Sequence, residues 1–159
     1  MTIRTNLKGR LRNTNLALNQ SLMPVFEAVV NSIHAIEERG LAMEDGKIVL
    51  NIEREYPNLV DDTHVLPDIT GFKIEDNGCG FNNVNYQSFS ELDSEHKADK
   101  GCRGVGRLLW LKVFNKIKIN SSYLEDGIIQ DRNFEFNSSG IFNEENNINE
   151  KKELKTLVH

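Results

Sequence analysis

The apolar residues of this chain switch between a helical and a strand period, and those switches dictate which elements can form and in what order. From Leu22 to Glu38 they recur at three- and four-residue steps (Leu22, Phe26, Val29, Val30, Ile33, Ile36), which lays one stripe along a helix. Pro24 near its start costs no hydrogen bond, and Gly40 past its charged end is a stop signal. Lys47–Arg54 and Gly71–Glu75 then alternate with the period of two that strands require, the second running into the turn Asp76-Asn77-Gly78. Residues 81–100 are polar without a period and read as a long loop, a feature that compact domains usually keep for function. Gly104 opens a second helix, Val105 to Phe114. Strands follow at Lys116–Tyr123 and Ile128–Phe136, then an exposed polar loop at Asn137–Lys152 and the start of another strand at Glu153–His159.

Helices kept apart from a meander of strands predict an α+β two-layer sandwich and not a doubly wound parallel sheet. A length of 159 residues suits one domain with one core, and 38% apolar and 27% charged residues are ordinary for a globular protein. No apolar run is long enough to span a bilayer, and the opening Met-Thr-Ile-Arg-Thr-Asn lacks the apolar region of a secretory signal. Two cysteines make neither a disulfide framework nor a structural zinc site, so a reducing cytoplasm is the expected setting. The net charge of −5 argues against a whole-surface nucleic-acid binder and leaves a local basic patch open.

Three clusters could carry chemistry. Glu27, Asn31 and His34 fall within roughly 60° of one another on the first helix. A carboxylate and an amide so placed can hold a water and a metal ion; a solvated helix face is the plainer reading. In Ile74-Glu75-Asp76-Asn77-Gly78-Cys79-Gly80-Phe81 a strand delivers Asp76 into a turn whose glycines let a ligand approach the backbone, or simply form a hairpin. In Lys100-Gly101-Cys102-Arg103-Gly104-Val105-Gly106-Arg107 a glycine loop enters a helix, a ready anion site that matches neither common phosphate signature.

Taken in order, E-x-x-x-N on an early helix, D-x-G-x-G after a strand and G-x-x-G-x-G opening a helix resemble the GHKL ATPase superfamily (gyrase, Hsp90, histidine kinases, MutL) over residues 15–159. The resemblance implies a sandwich of the Bergerat type: a mixed, mostly antiparallel sheet with helices on one face. It implies ATP and Mg²⁺ as cofactors. Asp76 would accept from the adenine amino group and repel the guanine carbonyl. Asn31 would give its amide oxygen to Mg²⁺, and Glu27 would orient and deprotonate the attacking water. Gly101, Gly104, Val105 and Gly106 would wrap the phosphates, with Lys100 and Arg103 as charge partners, and residues 82–100 would form a lid. Gly78 and Gly80 belong to the second box; Phe81 would pack on the adenine or in the core, and Thr156 would hydrogen-bond near the adenine end. The last box of the family, a Gly-Thr, is matched only at Thr156, because Lys155 stands in place of the glycine. His34 stands where many members carry Asp, and reads as a packed or surface histidine.

These features imply a Mg²⁺-dependent ATP-binding and ATP-hydrolysing domain, residues 21–159, of a larger protein whose downstream domains complete weak turnover. Residues 1–20, with Arg4, Lys8, Arg10 and Arg12, read equally as a strap serving a nucleotide-dependent homodimer and as a tail. Two alternatives stand beside this reading: a histidine kinase catalytic domain, where N-x-x-x-N is the commoner pattern, and a nucleotide-binding regulatory module without turnover.

Overall fold

Strands that alternate apolar and polar side chains need one covering layer, and the helices supply it on one face. The computed structural model describes residues 6–55, 67–91, 106–149 and 154–159. Its helices are α1 (Leu7–Asn13), α2 (Met23–Arg39), α3 (Asn83–Ser90) and α4 (Gly106–Val113), with short 3₁₀ turns at Leu18–Gln20 and Met43–Asp45. The strands are β1 (Ile48–Arg54), β2 (Ile69–Asp76), β3 (Lys116–Glu125), β4 (Ile128–Asn137), β5 (Gly140–Ile148) and β6 (Thr156–Val158). They form one sheet in the order β1-β2-β6-β3-β4-β5. Every pairing is antiparallel, so β2 and β3, which flank β6, run parallel to each other. This is the α+β two-layer sandwich expected from the sequence. Phe72 and Ile74 of β2, Ile117 and Ile119 of β3, Phe134 and Phe136 of β4 and Val158 of β6 point into the helix layer and meet Ala28 and Trp110.

Helix α2 corrects an expectation. Most of the stripe that its spacing marks as apolar faces outward: Leu22, Phe26, Val30 and Ile33 are exposed, Val29 packs on the core, and the buried positions are Pro24, Ala28 and Ser32. Size explains the rotation. Small residues on the buried face let the helix touch the turn after β2 backbone to backbone, with Cys79 N donating to the Ala35 carbonyl at 2.9 Å. A Cβ on Gly78 would lie 2.5 Å from the Ala35 Cβ, so Gly78 is what permits the approach. Gly40 ends the helix at φ +72°, as its position suggests.

Two stretches read as loops are ordered elements. Residues 83–90 form α3, capped by the Asn82 side chain accepting from Asn85 N at 2.9 Å. It is held by Tyr86 and Phe89, three positions apart and packed on β4. Residues 140–148 form the edge strand β5, whose Asn- and Glu-rich sequence suits a strand exposed along its length. Within the arm, α1 packs on α4. No helix among the described residues is long and apolar enough to cross a membrane.

Candidate functional site

The strand register assembles a polar row across the inner face of the sheet. Asp76 pairs with Thr156, Thr156 with Ser121, Ser121 with Arg132 and Arg132 with Asn146, crossing β2, β6, β3, β4 and β5 in turn. Asp76, Thr156, Ser121 and Arg132 are all buried. One step along the strands the same positions are apolar: Ile74, Val158, Ile119 and Phe134.

Each buried polar atom of the row has a partner. Ser121 Oγ accepts from Phe81 N at 2.8 Å and lies 3.0 Å from Thr156 Oγ1. Arg132 donates to the Phe81 carbonyl at 2.8 Å, to the Asn82 carbonyl at 3.2 Å, to Asn83 Oδ1 at 2.8 Å and to Asn146 Oδ1 at 3.0 Å. Its guanidinium also lies over the rings of Tyr86 and Tyr123. Arg132 thereby fixes the chain leaving the second glycine turn. Gly80 lies on the row at φ +73°, and a Cβ there would meet the Ser122 carbonyl at 2.6 Å and Ser121 Oγ at 2.8 Å. Gly78 and Gly80 thus make room for protein neighbours, α2 and β3 respectively, where the sequence suggested room for a ligand.

Asp76 terminates the row beneath α2. Its Oδ2 accepts from Ser32 Oγ at 2.9 Å and its Oδ1 from Gly78 N at 2.8 Å. Burial pushes its carboxyl above the usual range; these two donors oppose the shift and neighbouring Glu75 adds to it. One donor per oxygen holds the carboxylate in a fixed plane and leaves further lone pairs to accept.

Above Asp76, α2 carries Glu27 half-buried and Asn31 exposed, one turn apart. The start of α4 closes on Glu27: a Cβ on Gly106 would lie 2.1 Å from Glu27 Oε2. The glycine therefore lets the first turn of α4 rest against the carboxylate. Partial burial raises the Glu27 pKa above its ordinary 4.5. His34 is half-buried on α2. Phe81 is half-buried and packs on the core, with its ring 5.4 Å from both Phe89 and Phe134. Lys155 pairs with Glu75 at 2.8 Å on the outer face. Lys100, Gly101, Arg103, Gly104 and Val105, and residues 92–100 of the expected lid, lie outside the described residues.

The structure thus sets Asp76 beside Thr156 and under Ser32 of α2, and Gly106 against Glu27 of the same helix, which carries Asn31 between Glu27 and Ser32. Ser32, Ser121 and Arg132 are the members that the sequence reading missed. Ser32 follows Asn31 directly and lies on the buried face, a signal that the outward stripe obscured.

No family model and no curated protein matches the chain. Solved structures do. The ATPase region of Saccharomyces cerevisiae topoisomerase II superposes with a TM-score of 0.60 at 17% identity, over 87% of this chain and 37% of that one. The same region bound to ICRF-187 (dexrazoxane) gives 0.60 at 17% identity over 91% and 39%. The chain therefore spans well under half the length of those structures. At such identity the match speaks to architecture, and with the sheet order and helix layer above it establishes that this chain has the fold of that ATPase region, the Bergerat sandwich expected from the sequence.

Proposed function

We propose that this chain is a Mg²⁺-dependent ATP-binding domain that hydrolyses ATP, working within a larger protein. The observation that carries the reading is Asp76: a buried carboxylate, held in one plane by Ser32 and Gly78, at the end of a polar row inside an otherwise apolar layer. Burying a carboxylate is costly unless it is hydrogen-bonded, and service as a fixed acceptor for a ligand gives that cost a use. In this reading its free lone pairs accept from the exocyclic amino group of adenine. Guanine presents a carbonyl at that position, which the carboxylate would repel. Thr156 adds a hydroxyl beside it on the neighbouring strand.

The other end of the ligand falls to α2 and α4. Asn31 offers an amide oxygen on the face that carries Glu27, a donor suited to Mg²⁺, which takes few protein ligands and supplies charge neutralisation at phosphate oxygens. Glu27 orients the attacking water and takes its proton as the oxygen bonds to the terminal phosphorus, while the bond from that phosphorus to the bridging oxygen breaks and ADP leaves with the electron pair. A carboxylate raised above its ordinary pKa is the better base for that step. Glu27 also favours hydrolysis over phosphotransfer, where an amide at this place is the commoner pattern. The downstream domains and a nucleotide-dependent homodimer belong to the same proposal.

Calorimetry with ATP and GTP, followed by phosphate release from wild type and Glu27→Ala, tests the reading. Selective ATP binding with turnover lost in Glu27→Ala is the expected result. Equal affinity for the two nucleotides overturns the role of Asp76. Binding with no release from wild type or from a longer chain leaves a regulatory module instead of an enzyme.

A further inference from the structure

Six polar or charged residues are buried among the described residues, and five of them form the row or touch Asp76. The sixth is Arg107, in the first turn of α4, with 8% of its surface exposed. Its side chain leaves the site and crosses to the end of α3. There Nη1 donates to the Ser88 carbonyl at 3.2 Å and Nη2 donates to the Glu91 carbonyl. The guanidinium lies 5.1 Å from the centre of the Phe89 ring, which packs in turn on Phe81, Phe134 and Phe136. The last carbonyls of a helix lack partners within it, and a cation is favoured there. One planar fork reaches both carbonyls at once, which a lysine cannot do.

Gly106, the neighbour of Arg107, is the residue resting on the Glu27 carboxylate. The contacts therefore run without a break from α3 through Arg107 to the first turn of α4 and on to Glu27. We infer that Arg107 is a positioning residue: by tying the end of α3 to the first turn of α4, it sets that turn against Glu27 and so tunes the phosphate end of the site without touching the ligand. This rests on the proposed nucleotide site. It separates the two ends of that site, because Asp76, Ser32 and Thr156 are held by the sheet row and α2 and owe nothing to Arg107.

The test uses Arg107→Lys, which keeps the charge, and Arg107→Met, which keeps only the stem, each checked for wild-type circular dichroism. Hydrogen exchange without ligand reads the tie itself. Amides 89–91 and 107–110 are expected to exchange faster in both variants, while β2 and β6 stay as protected as in wild type. Titration with adenosine, followed by NMR, and with ATP, followed by calorimetry, reads the two ends of the site. Adenosine affinity is expected to hold while ATP affinity falls about tenfold, the size of effect typical of residues that act on a site through others. If Arg107→Met fails to fold, Arg107→Lys alone decides, since lysine cannot bridge the two carbonyls. Unchanged exchange at 89–91 and 107–110, unchanged ATP affinity, or equal losses for adenosine and ATP would overturn the inference. If wild type binds neither ligand, the nucleotide reading falls, and the exchange data still report whether the tie exists.

Discussion

Gly106→Ala isolates the contact between α4 and Glu27. The added methyl would lie 2.1 Å from Glu27 Oε2 and 2.9 Å from its Cδ, where ordinary contact begins at 3.4 Å. The obstacle is the far end of a flexible side chain, so the cheapest response is for the carboxylate to withdraw by about 1.3 Å. Stability should barely suffer. Alanine is the better helix former by up to about 1 kcal/mol, so the Tm is expected to stay level or rise by about 2–4 °C. On the role proposed for Glu27, catalysis should suffer greatly, because displacing a catalytic group by about 1 Å costs on the order of 100-fold, or about 2.7 kcal/mol in barrier. Steady-state phosphate release, with Tm as the control, reads both effects. The double variant Gly106→Ala/Glu27→Ala closes the cycle. If the methyl acts only by moving Glu27, it adds little once Glu27 is gone. Turnover like wild type in Gly106→Ala, or a further 100-fold loss in the double variant, would refute this account of how the glycine serves the site.

Gly78→Ala should behave in the opposite way, because its methyl would lie 2.6 Å from the Ala35 backbone carbon and α2 itself would have to retreat. A loss of about 1–3 kcal/mol in denaturant unfolding is expected, the usual cost of overpacking, and a Tm equal to wild type would count against the packing role. For Asp76→Asn, the sign follows from burial. A carboxyl whose pKa is raised in the fold contributes its full stability below its unfolded value, near 3.8, and loses it as pH rises through the folded value. The variant, with no charge to bury, should therefore gain on wild type in Tm as pH is raised from about 4 to 7, while ATP binding weakens by about 1.5–3 kcal/mol. A Tm difference that does not change with pH would show that Asp76 bears no such burial cost. Arg132→Met should cost about 3–5 kcal/mol in unfolding free energy, because it strips donors from the Phe81 and Asn82 carbonyls and from Asn83; a loss under about 1 kcal/mol would show that water replaces them freely.

Much of the architecture was legible because it rests on period. Strands β1 to β4 and helix α4 alternate or recur as their elements demand, and the end of α2 is set by a glycine that takes a left-handed conformation. The failures share a cause: the balance of apolar and polar residues is a poor guide where packing depends on size or where only one neighbour exists. Helix α2 turns Phe26, Val30 and Ile33 outward because Ala28, Ser32 and Ala35 allow a closer approach to the sheet. Helix α3 holds on by two aromatic rings, too few to leave a period in eight residues, although Asn82 is a cap that could have marked its start. Strand β5 pairs on one side only, so nothing selects apolar residues along it.

The site was legible in a different sense. Glu27, Asn31 and Asp76 stand in motifs and can be found by spacing, but the row that ends at Asp76 comes from a strand register that no motif records. Ser121 and Arg132 have no local signature: each is one polar residue at an inward position of a strand, and read singly each looks like an irregularity in the alternation. Pairing turns the irregularities into one row, since a polar residue at an inward position is tolerated only where the strands on either side offer partners at the same level. The row also accounts for the position of Gly80, whose missing side chain leaves space for Ser121 to accept from Phe81 N. Asp76 is thus the β2 end of a buried polar row that reaches to β5, while its own orientation is set by Ser32 and by Gly78 N. A carboxylate held through both oxygens, by α2 and by the turn after β2, can be exacting about what it accepts, because it cannot turn to satisfy a poorer partner.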